Sequence, residues 1–500
     1  MVLSKNKNKE KINVFINSSK INQVNEIKIL GLTFDSRLNW VSHIKKLKSE
    51  CFNRMNIIKI LSSIDWGSDS RCIKNTYKAL IRQKVDYGSV LYDSASNNIL
   101  KILDSIHNTC LRLSLGAFRT SPVNSVLVES GEMPLSYRRK ELCLTFAAKH
   151  IVNNMDSLFI KPALLSDIEY SLRPSLSVPL RLRVKNYLNE IKYNLPPLFQ
   201  RLFPYQLPPW DTNIFKINID LANKYPREST PNYIYKNYFY ELLEKYSDYT
   251  MFYTDGSIFN KRTGCAVASE NYNYKYRLPD YTSIFTCEAI AILKCLEIIK
   301  TNPTTSKKYV IFSDSLSYLT ALLNDKNIDP LINTIRENFA NLKINNFSIE
   351  IIWIPSHQGI PGNEKADAQA KEATTLDQCN LLNCNISDVT KFLKFKIKSL
   401  WNSCWVVNNN SYLYELRKSI FENCNYKFFK RRDEIVINRL RIGHCNVTHL
   451  HLITKASRNK CSRCDCELSI KHLLIDCSMF SSERSSVNLQ STLKDCLSDW

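Results

Sequence analysis

The spacing of apolar residues changes several times along the chain, and each change predicts a different kind of element. After a Lys- and Asn-rich start over residues 1–26, the apolar run Ile27 to Phe34 predicts a strand. From about Ser42 to His150 the spacing is helical. His43, Ile44, Leu47 and Cys51 form one stripe at three- and four-residue intervals, and Leu80, Lys84 and Tyr87 another. Asp65-Trp66-Gly67, Tyr87-Gly88 and Ser121-Pro122 separate these helices. Ten prolines between Pro162 and Pro231 then interrupt every period and predict an irregular connector.

From Tyr249 short strands and helices alternate. Tyr249 to Gly256 predicts a strand that delivers Asp255 at its end. Gly264 to Ala268 and Tyr272 to Arg277 extend it into a meander. Ser283 to Lys300 predicts an amphipathic helix with Ile284, Cys287, Ala291, Cys295 and Ile298 on one stripe and Glu288 beside it. Tyr309 to Phe312 predicts a strand ending in Ser313-Asp314-Ser315, ahead of a helix over Leu316–Leu323; alone, Asp314 reads as the cap of that helix. Phe347 to Ile354 predicts the last strand, and a long loop then opens a helix, Asn363 to Ala373, that carries Asp367. After Thr375 the pattern returns to helices and then to a Cys/His cluster. No internal repeat is present.

Length and charge sharpen this picture. Five hundred residues exceed one ordinary hydrophobic core, so several modules are expected. We divide them as 1–155 helical, 156–245 connector, 246–376 α/β, and 377–500 basic and helical. The net charge of +21 is uneven: residues 1–245 carry 36 basic and 21 acidic side chains, 246–375 carry 13 and 14, and 376–500 carry 19 and 12. A neutral segment between basic flanks suits a polyanion, because each phosphate contact releases counterions. Seventeen cysteines, an odd number, behind an N-terminus without an apolar signal core predict reduced thiols and an intracellular protein, nuclear or cytoplasmic and not secreted. No run approaches the roughly 18 apolar residues of a membrane span.

The chemistry concentrates in four carboxylates, Asp255, Glu288, Asp314 and Asp367, which come from two strand ends and two helices. Like charges brought together raise one another's pKa, so such a cluster makes sense with divalent cations. Oxygen ligands favour Mg²⁺ or Mn²⁺, and two such ions can activate water and stabilise the leaving oxygen. In sequence the strings are Tyr253-Thr254-Asp255-Gly256-Ser257, Cys287-Glu288-Ala289, Phe312-Ser313-Asp314-Ser315 and Trp353-Ile354-Pro355-Ser356-His357-Gln358-Gly359-Ile360-Pro361-Gly362-Asn363-Glu364-Lys365-Ala366-Asp367. Over about 248–375 they resemble type 1 ribonuclease H. Ser356 stands where many members of that family have Gly.

The resemblance implies an α/β fold with a mixed five-stranded sheet flanked by helices. It implies cleavage of the RNA strand of an RNA/DNA hybrid with two Mg²⁺ or Mn²⁺ per site. Asp255 would bridge the metals, with Glu288, Asp314 and Asp367 completing the set and His357 handling protons and product departure.

Both flanks carry their own signals. Ile29-Leu30-Gly31-Leu32-Thr33-Phe34-Asp35, Leu38-Asn39-Trp40, His43-Ile44, Asp86-Tyr87-Gly88 and Leu115-Gly116-Ala117-Phe118-Arg119-Thr120-Ser121-Pro122 resemble the region after the polymerase palm in non-LTR retrotransposon reverse transcriptases. A helical thumb or connection is expected there, with packing as the role of Trp40 and His43. The chain contains no Asp-Asp pair, so DNA synthesis by it alone is not expected; a separate palm-containing reverse-transcriptase chain would be a partner.

At the C-terminal end, Cys461-x2-Cys464-x7-His472-x4-Cys477 offers three thiolates and an imidazole for a structural Zn²⁺. It resembles the terminal Cys/Cys/His/Cys motif of the same retrotransposon class. Cys466, His444, Cys445, His449 and His451 are alternative ligands. Lys427-Phe428-Phe429-Lys430-Arg431-Arg432 and Arg439-Leu440-Arg441 form a basic cluster that either grips a nucleic-acid backbone or is a solvated helix face. Two functions follow: a metal-dependent hybrid nuclease within a retrotransposon-derived polyprotein, or a catalytically silent nucleic-acid-binding remnant.

Overall fold

The structure is a computed structural model that describes residues 1, 13–153, 178–200, 216–225, 230–270, 272–379, 383–407, 410–422, 430–489 and 492–498. Lys427, Phe428 and Phe429 of the basic cluster, and six of the ten connector prolines, lie outside the described residues. The described residues form two compact units, one drawn from Met1–Leu144, Ala163–Lys192 and Lys394–Trp500, the other from Thr145–Pro162 and Tyr193–Leu393. No helix among the described residues is long and apolar enough to cross a membrane.

The first unit is helical, with small hairpins at its start. The stretch expected to be one strand, Ile27 to Phe34, is a hairpin of Glu26–Ile29 and Leu32–Asp35. Leu30 and Gly31 turn it with φ of 48° and 84°, a left-handed pair that a continuous strand cannot hold. Asp35 then receives the backbone N–H groups of Arg37, Asn39 and Trp40 at 3.0, 3.1 and 2.7 Å, which fixes the start of the helix Val41–Leu61. His43, Ile44, Leu47 and Cys51 are buried on that helix, and Trp40 packs beside them. The second stripe is displaced by one position. Leu80 and Lys84 are half-buried and Tyr87 is exposed, whereas Ile73, Tyr77, Ile81 and Val85 face the core through a π-helical turn at Lys78–Arg82.

The C-terminal helices share this core: Trp401, Trp405, Leu413, Ile442, Ile470 and Leu497 pack with Ile44, Tyr77 and Leu111. Much of the basic cluster is consumed in holding them there. Arg431 and Arg441 are 7% and 2% exposed. Arg431 donates to Leu113 O at 3.0 Å, Arg439 to Gly116 O at 2.7 Å, and Arg441 pairs with Glu129 at 2.6 Å. Arg431 and Arg439 thereby cap open carbonyls at the end of helix Asn97–Leu115, where a cation is favoured. Arg431, Arg439 and Arg441 thus serve neither as a solvated helix face nor as a free nucleic-acid grip: their guanidinium groups are bonded within the helical unit.

The second unit is an α/β sandwich. Its strands are β1 (Lys216–Asn218), β2 (Thr250–Phe259), β3 (Arg262–Ala268), β4 (Asn273–Leu278), β5 (Lys308–Ser313) and β6 (Ser348–Trp353). Its main helices are α1 (Asn232–Lys245), α2 (Ile284–Thr301), α3 (Leu316–Leu323), α4 (Pro330–Ile344) and α5 (Pro361–Ala373). The sheet order is β1-β6-β5-β2-β3-β4, with β1, β6, β5 and β2 parallel and the β2-β3-β4 meander antiparallel. The mixed sheet thus has six strands rather than the expected five. The sixth is three residues that pair with the otherwise open edge of β6.

Each face of the sheet is covered. Tyr309, Ile311, Ile349 and Ile351 bury against α2, α3 and α4; Ile284 alone of the α2 stripe is exposed, at the helix's first residue. On the other face Val310, Phe312, Ile352 and Ile354 bury against Phe239 and Leu242 of α1 and Tyr246 just after it, while α5 lies over β2, β3 and β4. The stretch expected to be an irregular connector therefore supplies α1 and β1, as well as a helix at Leu180–Glu190 in the first unit.

Candidate active site

Strand register assembles the acidic residues. The last parallel pairs are Thr254 with Ser313 and Ser313 with Trp353, so β2, β5 and β6 stop pairing at one line across the sheet. Asp255 and Asp314 are each the next residue beyond it. Asp255 does not end its strand as expected: β2 continues to Phe259, paired with β3 alone. Asp314 leaves the sheet, and Ser315 rather than Asp314 occupies the cap position of α3.

Glu288 enters from α2, which approaches β2 very closely. A Cβ on Gly256 would lie 2.7 Å from Cys287 Cβ and 2.8 Å from Glu288 N, so the glycine lets the helix bring its carboxylate in. Asp367 stands on α5. His357, in the loop before it, has φ of 56° and places Nδ1 4.0 Å from Asp367 Oδ2, with its side chain 69% exposed.

The four carboxylates feel one another. Asp255 is 7% exposed. Burial, and then the Asp314 charge, push its carboxyl well above the usual range; the N–H of Gly256, donated to Oδ1 at 2.7 Å, only partly offsets this. Burial raises Asp314 too, while Asn363 and His357 favour its charge and Asp367 opposes it. Burial raises Glu288, against a hydrogen bond from Ser315, with Asp314 adding to the rise. No three of these carboxylates offer oxygens lying within 4.8 Å of one another. Repulsion of this kind keeps like charges apart until cations compensate them.

The residues fit the divalent cations that the resemblance implies. They are hard oxygen donors, converging from three elements and the end of a strand, in surroundings that penalise bare negative charge.

The stretch 247–375, which holds all four acids and His357, matches the RNase H family. This segment is a ribonuclease H domain. The chain is also similar to the retrovirus-related Pol polyprotein from type-1 retrotransposable element R1 4 of Nasonia vitripennis, at 21% identity over 131 residues. That stretch is 26% of this chain and 33% of the relative, so the match takes in about a third of the relative's length.

Within the ribonuclease H domain, four further side chains hold the acids in place. Ser315, 3% exposed, donates to Glu288 Oε2. Trp353 Nε1 donates to Asp314 O at 3.1 Å. Asn363, also 3% exposed, supports Asp314. Lys371, one turn beyond Asp367 on α5, pairs with its Oδ2 at 2.7 Å. Three of the four lie inside the sequence strings quoted for the acids, yet nothing in the strings distinguishes a supporting residue from a neighbour. The i,i+4 spacing of Asp367 and Lys371 was the one readable signal.

The second cluster, in the helical unit, is tighter than the acidic one. Ligand atoms of Cys461, Cys464, His472 and Cys477 all lie within 4.8 Å of one another, the one such group of three or more among the described residues. A tight turn with a Lys460–Glu467 bridge presents Cys461 and Cys464, and a helical turn from His472 presents the other two. The hydrogen bond to His472, followed by the backbone N–H groups of Cys464 and Arg463, lowers the Cys461 thiol to about 6. Three thiol sulfurs and one imidazole are the donor set of a closed tetrahedral zinc site. Cys466 stays outside the group, with its sulfur 3.4 Å from His472 Nδ1. His444, Cys445, His449 and His451 stand elsewhere, the rings of His444 and His449 stacked at 3.8 Å.

Proposed function

We propose that the chain is a metal-dependent endonuclease that hydrolyses the RNA strand of RNA/DNA hybrids, and that it derives from a retrotransposon polyprotein. The observation that carries this reading is the shared line at which β2 and β5 stop pairing, which sets Asp255 beside Asp314 with Glu288 and Asp367 around them. Two divalent cations would supply the Lewis acidity that activates water and stabilises the leaving oxygen. Asp255, Glu288, Asp314 and Asp367 would hold them through their carboxylate oxygens.

The chain's own groups do the rest. Ser315, Trp353 and Asn363 hold Glu288 and Asp314 against repulsion. His357, exposed and close to Asp367, can take up the proton of the attacking water or deliver one to the departing 3′-oxygen. The similarity to the R1 Pol polyprotein, together with the reverse-transcriptase-like strings of residues 29–122, supports the retrotransposon origin. The Cys461, Cys464, His472 and Cys477 group would hold one structural Zn²⁺.

Strand specificity tests the reading. With Mg²⁺, the chain should cut labelled RNA only when it is paired with DNA, leaving 3′-hydroxyl and 5′-phosphate ends. Binding of the hybrid without any cleavage would point instead to a silent nucleic-acid-binding remnant.

A further inference from the structure

The ribonuclease H segment is nearly neutral, with 13 basic and 14 acidic residues over 246–375, yet its substrate is a polyanion. The lysines nearest the acids are already engaged. Lys371 pairs with Asp367 at 2.7 Å, and Lys365 donates to Ser269 O at 2.9 Å. A further cation comes from α1, outside the matched segment. Lys236 lies over Gly359, two residues from His357: a Cβ on Gly359 would meet Lys236 Nζ at 2.7 Å. Lys236 is exposed and has no ion pair among the described residues.

Its helix is firmly seated. Phe239 meets the ring of Phe312 at 5.4 Å, two residues before Asp314, and Phe239 and Leu242 bury with Ile354 and Ile360 at the two ends of the His357 loop. The face that α1 turns to solvent also carries Tyr233 and Tyr240, 64% and 56% exposed, at helical spacing on either side of Lys236. Large exposed aromatics beside an unpaired cation are what a sugar-phosphate backbone recognises.

We propose that α1 is part of the substrate surface, with Lys236 binding a phosphate of the hybrid next to the His357 loop and Tyr233 and Tyr240 resting on adjacent sugars. This rests on the hybrid-nuclease reading for its substrate, and it adds a binding element that lies upstream of the family match.

The test is binding of the full chain to a fluorescent RNA/DNA hybrid, in EDTA so that nothing is cut, across a KCl series. Lys236→Ala should weaken affinity about fivefold at physiological salt and reduce the slope of log K against log[KCl] by about 0.9, the signature of one lost phosphate contact. Lys236→Arg should restore both. Tyr233→Ala and Tyr240→Ala should weaken binding and leave the slope unchanged. Lys300→Ala, about 18 Å along α2 from Glu288, should change neither.

Equal affinity and slope for Lys236→Ala and the wild type would overturn the proposal. So would a fall in cleavage rate with binding unchanged, since that would make Lys236 a support of the loop. A wild type that binds but never cuts would count against the nuclease reading alone, and the Lys236 comparison would still stand.

Discussion

Asp255 carries an electrostatic cost that its neighbours do not remove. It is buried, it faces Asp314, and its one hydrogen bond is to the next backbone N–H. Removing that charge without changing shape should relieve the cost. We expect Asp255→Asn to stabilise the cation-free chain by about 1–3 kcal/mol while abolishing cleavage, measured by urea unfolding in EDTA. A destabilised Asp255→Asn would show that the carboxylate is stabilised in the folded chain rather than strained there.

His107 makes the opposite case, a group whose neutral form is fully used. Tyr77 OH lies 2.5 Å from its Nδ1, Met133 O lies 3.2 Å from its Nε2, and burial lowers its pKa to about 3. Below the ordinary value of 6.5 the unfolded chain binds a proton that the folded chain does not. Stability therefore falls as pH drops from 6.5 toward 3, by about 1.4 kcal/mol per pH unit from this residue. Unfolding midpoints between pH 7 and 5 should show it, and His107→Gln should flatten the dependence.

At the scale of elements, α1 covers the β5–β6 part of one sheet face, the part that α5 leaves open. Phe239→Ala should cost about 3–4 kcal/mol, read as a loss in the unfolding of the α/β unit, because the ring fills the space over Phe312. A cost below 1 kcal/mol would mean that the face tolerates exposure.

This helix also marks where the sequence stops being readable. The strands around Asp255 and Asp314 and the helix of Asp367 show in the sequence because their apolar period matches their burial. α1 does not, because prolines crowd the segment around it, and β1 does not, because three residues on a parallel edge have no period to display. The turn at Leu30-Gly31 was hidden by an apolar residue at the first turn position, and α4 by a stretch that offered no motif. The acids were legible because they sit in long specific strings. Ser315, Asn363 and Lys236 were not, since their roles depend on which segments meet in space.

Over the whole molecule, the charge that seemed available for nucleic acid is divided. Arg431, Arg439 and Arg441 are spent inside the helical unit, so any grip from the basic flanks must come from other residues, such as the exposed Lys430 and Arg432. The Cys/His group belongs to the same unit, and Ile470, next to its helical turn, lies in the shared core with Leu497. A structural zinc there should stabilise the entire helical unit. Elemental analysis should find one Zn²⁺ per chain, lost in Cys461→Ser, and a strong chelator should lower the unfolding temperature; a chain free of zinc with an unchanged melt would contradict this.

Whether the acids just past the last β2–β5 pair do the chemistry is decided by cleavage of a labelled RNA/DNA hybrid by the full chain with Mg²⁺, wild type against Asp314→Asn. The wild type should cut the RNA, and the variant should lose at least a hundredfold in rate, about 2.7 kcal/mol or more of transition-state stabilisation. Equal cleavage by the two would contradict this, because Asp314 would then lie outside the chemistry.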